Sequence, residues 1–265
     1  MSQNRETRFE ADENKILEMA VYSAIGDRDE QQDEYGFALS PKEGIAIVCD
    51  GMGGFEDGGQ ASHCAVESLL NSYFLAKQFY SPKQYLKESM KTADEEVAAI
   101  GKESGGAIRV GSTAIAIVIK EHQLFWASVG DSRAYLLRGK EFVQFTQDHN
   151  YQTVLDEQLR VGVLTEKEYL EEARRGGALI SYIGMGNVSL IDYNESPLEL
   201  MPGDRIIAMT DGLYRLVSDS EIRSILRGTT DIRQAVQMLG SQAEHYAAEK
   251  QLSQDNTTMI LIRVK

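Results

Sequence analysis

Five aspartates stand where a chain can hold charge rigidly. The apolar run Gly44-Ile45-Ala46-Ile47-Val48-Cys49 ends on Asp50-Gly51-Met52-Gly53-Gly54, and Arg205-Ile206-Ile207-Ala208-Met209-Thr210 ends on Asp211-Gly212. Phe125-Trp126-Ala127-Ser128-Val129 ends on Gly130-Asp131. Asp33 and Asp255 join the set as acids at strand ends and turns. A buried strand that stops on an acid fixes that acid at the rim of a sheet, and several such carboxylates together need a cation to be tolerable when partly buried. An all-oxygen donor set suits a hard divalent ion such as Mg²⁺ or Mn²⁺. The glycine after Asp50 has no side chain to keep an ion from its backbone carbonyl. Two ions about 3.5–4 Å apart can share a water and lower its pKa. Arg28, a few residues before Asp33, carries the fork that clamps a phosphoryl dianion. These groups together imply phosphoester hydrolysis. Any single Asp-Gly is an ordinary turn; the ordered combination with a leading arginine carries the argument.

The elements that must position these acids are legible as periodicities. Strands are expected over 19–25, 35–39, 44–49, 112–119, 123–129, 134–137, 142–145, 188–193, 204–209 and 257–264. Helices are expected over 60–77, 82–103, 218–226 and 232–249, and the polar stretch 150–175 reads as helical. Pro82 fits the first turn of its helix, and Gly105-Gly106 breaks that helix. Thr165-Glu166-Lys167-Glu168 resembles a capping box one residue short of ideal. Residues 138–141 make a tight connection that implies an antiparallel meander. Strands and helices come in blocks, which argues for an α+β fold with antiparallel sheets over a doubly wound one. Residues 1–15 read as a loosely docked extension, and 16–265 as one domain.

Composition narrows the class. The chain has 265 residues, 42% hydrophobic and 26% charged, which fits a soluble globular protein. Its formal charge of −14 argues against a nucleic-acid binder, which needs a basic face. No apolar run is long enough to cross a bilayer, and the start of the chain lacks a signal-peptide core, so the cytoplasm is the expected compartment. Cys49 and Cys64 form no framework; Cys49 reads as a small buried hydrophobe. His63 and His245 on helices, His122 in a turn and His149 after Asp148 all read as structural.

These motifs resemble, in order, those of the metal-dependent protein serine/threonine phosphatases of type 2C, in their short bacterial form. The match runs through Gly26-Asp27-Arg28-Asp29-Glu30-Gln31-Gln32-Asp33, Asp50-Gly51-Met52-Gly53-Gly54, Gly111-Ser112-Thr113-Ala114 and Val129-Gly130-Asp131-Ser132-Arg133-Ala134-Tyr135. It ends in Thr146-Gln147-Asp148-His149, Thr210-Asp211-Gly212-Leu213 and Asp255-Asn256-Thr257-Thr258. The resemblance implies a four-layer α-β-β-α sandwich of two antiparallel sheets, with metals in a cleft at one end. By position it implies that Asp50 bridges two Mn²⁺ or Mg²⁺ ions, that Gly51 offers its carbonyl to one, and that Asp211 and Asp255 complete the other. Asp131 with Asp211 would match a third, weaker metal site. Arg28 would hold the substrate phosphate, Asp33 would orient metal-bound water, and residues from about 150 to 186 would form a flap. The substrates implied are proteins phosphorylated on serine or threonine, opposed by a partner kinase, with hydrolysis by metal-activated water and no phosphoenzyme.

Three departures stand out. Gln32 replaces a usual glutamate and removes a charge near the second metal. Met52 occupies the place of a histidine found in many eukaryotic members. Ser181-Tyr182-Ile183-Gly184 lacks the arginine that commonly precedes Ala-Leu-Gly. A sensor or scaffold on the same fold is the alternative, opposed by the full set of acids. A cysteine-nucleophile phosphatase is excluded, because the positions where Cys-x₅-Arg needs arginine hold Phe55 and Leu70, and no phosphate-binding P-loop is present.

Overall fold

The structure, a computed structural model, describes residues 7–53, 57–76, 81–103 and 110–265. The first six residues of the expected extension, Gly54, the expected helix end at Lys77 and the break at Gly105-Gly106 lie outside the described residues. In chain order the elements begin with β1 (Thr7–Glu13), β2 (Leu17–Ala24), β3 (Asp33–Ser40) and β4 (Glu43–Met52). Helices α1 (Asp57–Ala76) and α2 (Pro82–Glu103) follow, then β5 (Gly111–Ser112), β6 (Ala114–Lys120), β7 (Gln123–Val129), β8 (Arg133–Arg138) and β9 (Glu141–Gln144). Next come α3 (Tyr151–Arg160), α4 (Glu166–Glu172), β10 (Asp192–Tyr193), β11 (Leu198–Glu199) and β12 (Arg205–Met209). The last are α5 (Asp211–Tyr214), α6 (Asp219–Gly228), α7 (Ile232–Lys250) and β13 (Thr257–Val264).

Two antiparallel sheets result. One runs β1-β2-β13-β12-β8-β9; the other runs β10-β7-β6-β4-β3, with β11 beside β7 and β5 beside β4. Both faces of each sheet are covered, so the central strands are continuously apolar rather than alternating. The alternation appears instead in which layer each residue enters. Leu17, Met19 and Val21 of β2 meet Ala46, Val48, Ile115, Ile117, Ile260 and Ile262 between the sheets. Their neighbours Ala20, Tyr22 and Ala24 face Leu239 and Ala243 of α7. Ile45, Ile47 and Cys49 of β4 face Ala61, Ala65 and Leu69 of α1, and Met90 and Ala93 of α2 extend the same layer over β6 and β7. This is the four-layer α-β-β-α sandwich expected.

Some local expectations change. Residues 7–13, expected to be loose, form an exposed edge strand in register with β2 from Thr7↔Ala24 to Glu13↔Glu18. Of the strand expected over 188–193, Asp192 and Tyr193 pair with β7. The backbone N–H groups of Gly184, Gly186 and Val188 are instead bound by the buried carboxylate of Asp94, at 2.7, 3.1 and 2.8 Å. The capping box is complete: Thr165 accepts from the Glu168 N–H, and the Glu168 carboxylate accepts from the Thr165 N–H.

Candidate metal centre

The strand-ending acids from both sheets meet at one end of the sandwich. Asp33 and Asp50 are directly opposite in the β3–β4 register. Asp50 is held through its backbone: its N–H donates to Thr113 Oγ1 at 2.9 Å, and its carbonyl accepts from the Thr113 N–H at 2.8 Å. Thr113 Oγ1 also pairs with Ser132 Oγ at 2.8 Å, joining the Asp50 turn to the loop that carries Asp131. Gly51 donates its N–H to the Gln32 carbonyl, and a Cβ here would lie 2.1 Å from the Gly58 oxygen and 2.5 Å from the Gln32 oxygen. Only glycine fits between those two backbones.

Asp33 stitches one sheet to the other. Its Oδ2 accepts a buried 2.8 Å bond from Thr210 Oγ1, on the residue before Asp211. Burial, reinforced by the nearby Asp211 and Asp255 charges, pushes its carboxyl up to about 8. Burial likewise raises Asp50 well above the usual carboxylate range, with Asp33, Asp211, Asp131 and Asp255 adding repulsion. Asp211 rises to about 6 through burial, opposed by Arg215. Asp131 is raised by burial, again opposed by Arg215.

Arg28 rests against Asp255, with Nη2 2.6 Å from Oδ2. Its loop is anchored by Asn256, whose side chain accepts from the Gln32 N–H at 2.8 Å and donates to the carbonyls of Ile25 at 2.8 Å and Glu30 at 3.1 Å. Gly26 has φ +66°, and a Cβ there would strike the Asp255 carbonyl at 2.5 Å. The Gln32 amide packs against Gly58 in the first turn of α1, where a Cβ would lie 2.8 Å from it. His149 is buried, accepts from the Gly130 N–H at 3.3 Å and is held below its usual pKa by desolvation, as a structural imidazole would be.

A cleft of about 350 Å³ opens beside these groups, lined by Asp50, Met52, Asp131, Tyr182, Asp211 and Arg215 among others. Gly177 and Leu179, within the stretch expected to form a flap, also line it. A larger cavity of about 800 Å³ lies between α1 and α2, away from the acids. Among the described residues no group of three His, Cys, Asp or Glu side chains forms a ready ligand cluster. Two of the acids are instead held in arginine ion pairs, Arg28 on Asp255 and Arg215 on Asp211. The donor set nonetheless fits hard divalent ions: aspartates that repel one another, an all-oxygen surround and a glycine backbone free of side chain. Sequence reasoning placed Thr113 and Asn256 within motifs but gave them no role, and it missed Arg215.

Comparisons with known proteins identify the family and the fold. The sequence profile of the family described as Protein phosphatase 2C matches residues 8–162. The chain belongs to the protein phosphatase 2C family and is a protein serine/threonine phosphatase in class. It is similar to the serine/threonine phosphatase stp of Listeria innocua serovar 6a, 26% identical over 239 residues that cover 89% of this chain and 90% of that one. The structure of the S. agalactiae serine/threonine phosphatase superposes with a TM-score of 0.80 at 26% identity, covering 94% of this chain and all of the other. The catalytic domain of the phosphatase PstP, described in complex with two manganese ions, shares the fold with a TM-score of 0.73 at 24% identity, covering 94% of this chain and 98% of that one.

Proposed function

We propose that the cleft hydrolyses phosphoserine and phosphothreonine in proteins with two divalent ions, Mn²⁺ or Mg²⁺. The observation that carries this is the meeting of Asp33, Asp50, Asp211 and Asp255 from both sheets beside Arg28. Asp50, the Gly51 carbonyl, Asp211 and Asp255 would hold the ions. When bound, the ions supply the positive charge that brings the pKa of a shared water toward neutrality.

The chain's own residues do the rest. Arg28, more than half exposed and reaching over Asp255, is placed to exchange its carboxylate partner for the phosphate of a substrate. Asp33, fixed by Thr210, would orient the attacking water. Asn256 keeps the Arg28 loop against the end of β13. Tyr182 and the stretch 150–186 shape one wall, as a flap would. Residues 16–265 act as one catalytic domain, on proteins phosphorylated by a partner serine/threonine kinase in the cytoplasm. Among the described residues no helix is long and apolar enough to cross a membrane.

Turnover of a phosphothreonine peptide by chelator-stripped protein, with and without Mn²⁺, tests the reading. Metal-dependent release of phosphate is expected. Equal release without metal, or none with it, refutes it.

A further inference from the structure

Arg215 follows Asp211 by four residues across the single turn of α5, a spacing that places both side chains on one face. Its Nη2 lies 2.9 Å from Asp211 Oδ2 and 4.0 Å from Asp131 Oδ2. One guanidinium therefore serves both acids, on the wall of the same cleft.

Its surroundings hold the backbone from which it reaches them. The hydroxyl of the adjacent Tyr214 donates to the Asp131 carbonyl at 3.0 Å. The Tyr214 ring carries the Arg133 guanidinium 3.9 Å from its centroid, and Arg133 donates to Asp148 through Nε and Nη2. Helix α5 and the loop bearing Asp131 are thus tied together, and Arg215 leaves that junction pointing at both carboxylates. The Arg215 N–H also donates to the Asp211 carbonyl at 3.0 Å, which fixes its backbone.

We propose that Arg215 is a built-in cation standing in place of a third divalent ion between Asp131 and Asp211, so that this phosphatase works with two ions only. The inference rests on the two-ion reading of the cleft. Charge supports it. Two divalent ions and the guanidiniums of Arg28 and Arg215 already outweigh the five aspartates by one, before an anionic substrate arrives. A third divalent ion would have to displace a guanidinium that keeps its proton at any working pH. Unlike an ion, Arg215 also survives chelation, so the Asp131–Asp211 pair stays compensated when the metals are removed.

The test counts ions. The full chain is stripped with chelator and titrated with Mn²⁺, and bound ions are counted by calorimetry and by the electron paramagnetic resonance signal of free Mn²⁺. Wild type is expected to bind two. Arg215→Ala and Arg215→Gln, checked for folding by circular dichroism, are expected to gain one further, weaker ion. Arg215→Lys keeps a charge and is expected to stay at two. Three ions in wild type, or two in both neutral variants, overturn the role of Arg215 while leaving the two-ion cleft standing. A wild type that binds no ion overturns the cleft assignment and this proposal with it.

Discussion

Without metal, this protein should lose stability as pH rises through the neutral range, and the buried Asp33 should be one cause that a single substitution isolates. Its carboxyl is buried, and its folded-state value is raised from 3.8 to about 8 by desolvation. Between those limits the folded chain holds a proton that the unfolded chain releases. Raising the pH removes that proton at the expense of the fold, so the stability contributed is present at low pH and lost toward pH 8. One proton is worth about 1.4 kcal/mol per pH unit. From pH 5.5 to 7.5 the metal-free protein should therefore lose about 3 kcal/mol through Asp33. At this chain length that is roughly 6–12 °C in Tm. Asp33→Asn is the control, since the amide oxygen can still accept from Thr210 Oγ1 but carries no titrating proton. Urea unfolding of both stripped proteins at several pH values is the assay. The wild-type curve should fall relative to the variant as pH rises. Saturating Mn²⁺ should reverse the trend, because ion binding needs the carboxylates deprotonated. Parallel curves for the two stripped proteins would refute the placement of a buried, protonated Asp33 between the sheets.

Other outcomes follow from single contacts. Asp50→Asn should fold and lose more than about a hundredfold in kcat, read with a phosphopeptide. Gly51→Ala forces a Cβ against two backbone oxygens at 2.1 and 2.5 Å, so calorimetry should show both weaker Mn²⁺ binding and a lower Tm. Asn256→Ala frees three groups of the Arg28 loop and should raise KM for phosphopeptide, with a stability loss of about 2 kcal/mol in urea. Gly240→Ala should destabilise by about 1–3 kcal/mol despite better helix propensity, because the new Cβ falls 2.2 Å from the Tyr22 ring; thermal melts check it.

Strands β7 and β13 are legible to the residue because both faces are buried, so that short stretches rich in β-branched and apolar residues stand out against polar flanks. Strand β1 is illegible for the opposite reason: its residues are almost all exposed, and its strand character comes from pairing with β2. The expected strand at 188–193 shortens to Asp192–Tyr193, and at its expected start the Val188 N–H is taken by Asp94, far away in sequence. The same distance hides parts of the site. Asp50, Asp131 and Asp211 announce themselves as acids after apolar runs, and Asp255 as an acid just before one. Thr113 reaches back 63 residues to Asp50, and Asn256 reaches back 224 to Gln32, so neither role has a local signature. Arg215 had one, a four-residue spacing from Asp211 on a helical turn, and it marks an ion pair that the strand-end pattern does not contain. Gln32, a change of charge within a motif, packs its amide on α1 and lines a recess with Arg28 and Asn256.

The place of β13 bears on how the chain is made. This strand lies between β2 and β12, with Thr257 opposite Ala24, so a strand from the start of the chain waits for one synthesised more than two hundred residues later. Until β13 clears the ribosome, the inward-facing Leu17, Met19 and Val21 lack the Ile260 and Ile262 they pack against. Asp255 emerges just ahead of that strand, so the acids are brought together in the same event that closes the sheet. A nascent or prematurely terminated chain should therefore be a client for chaperones and show no partial activity.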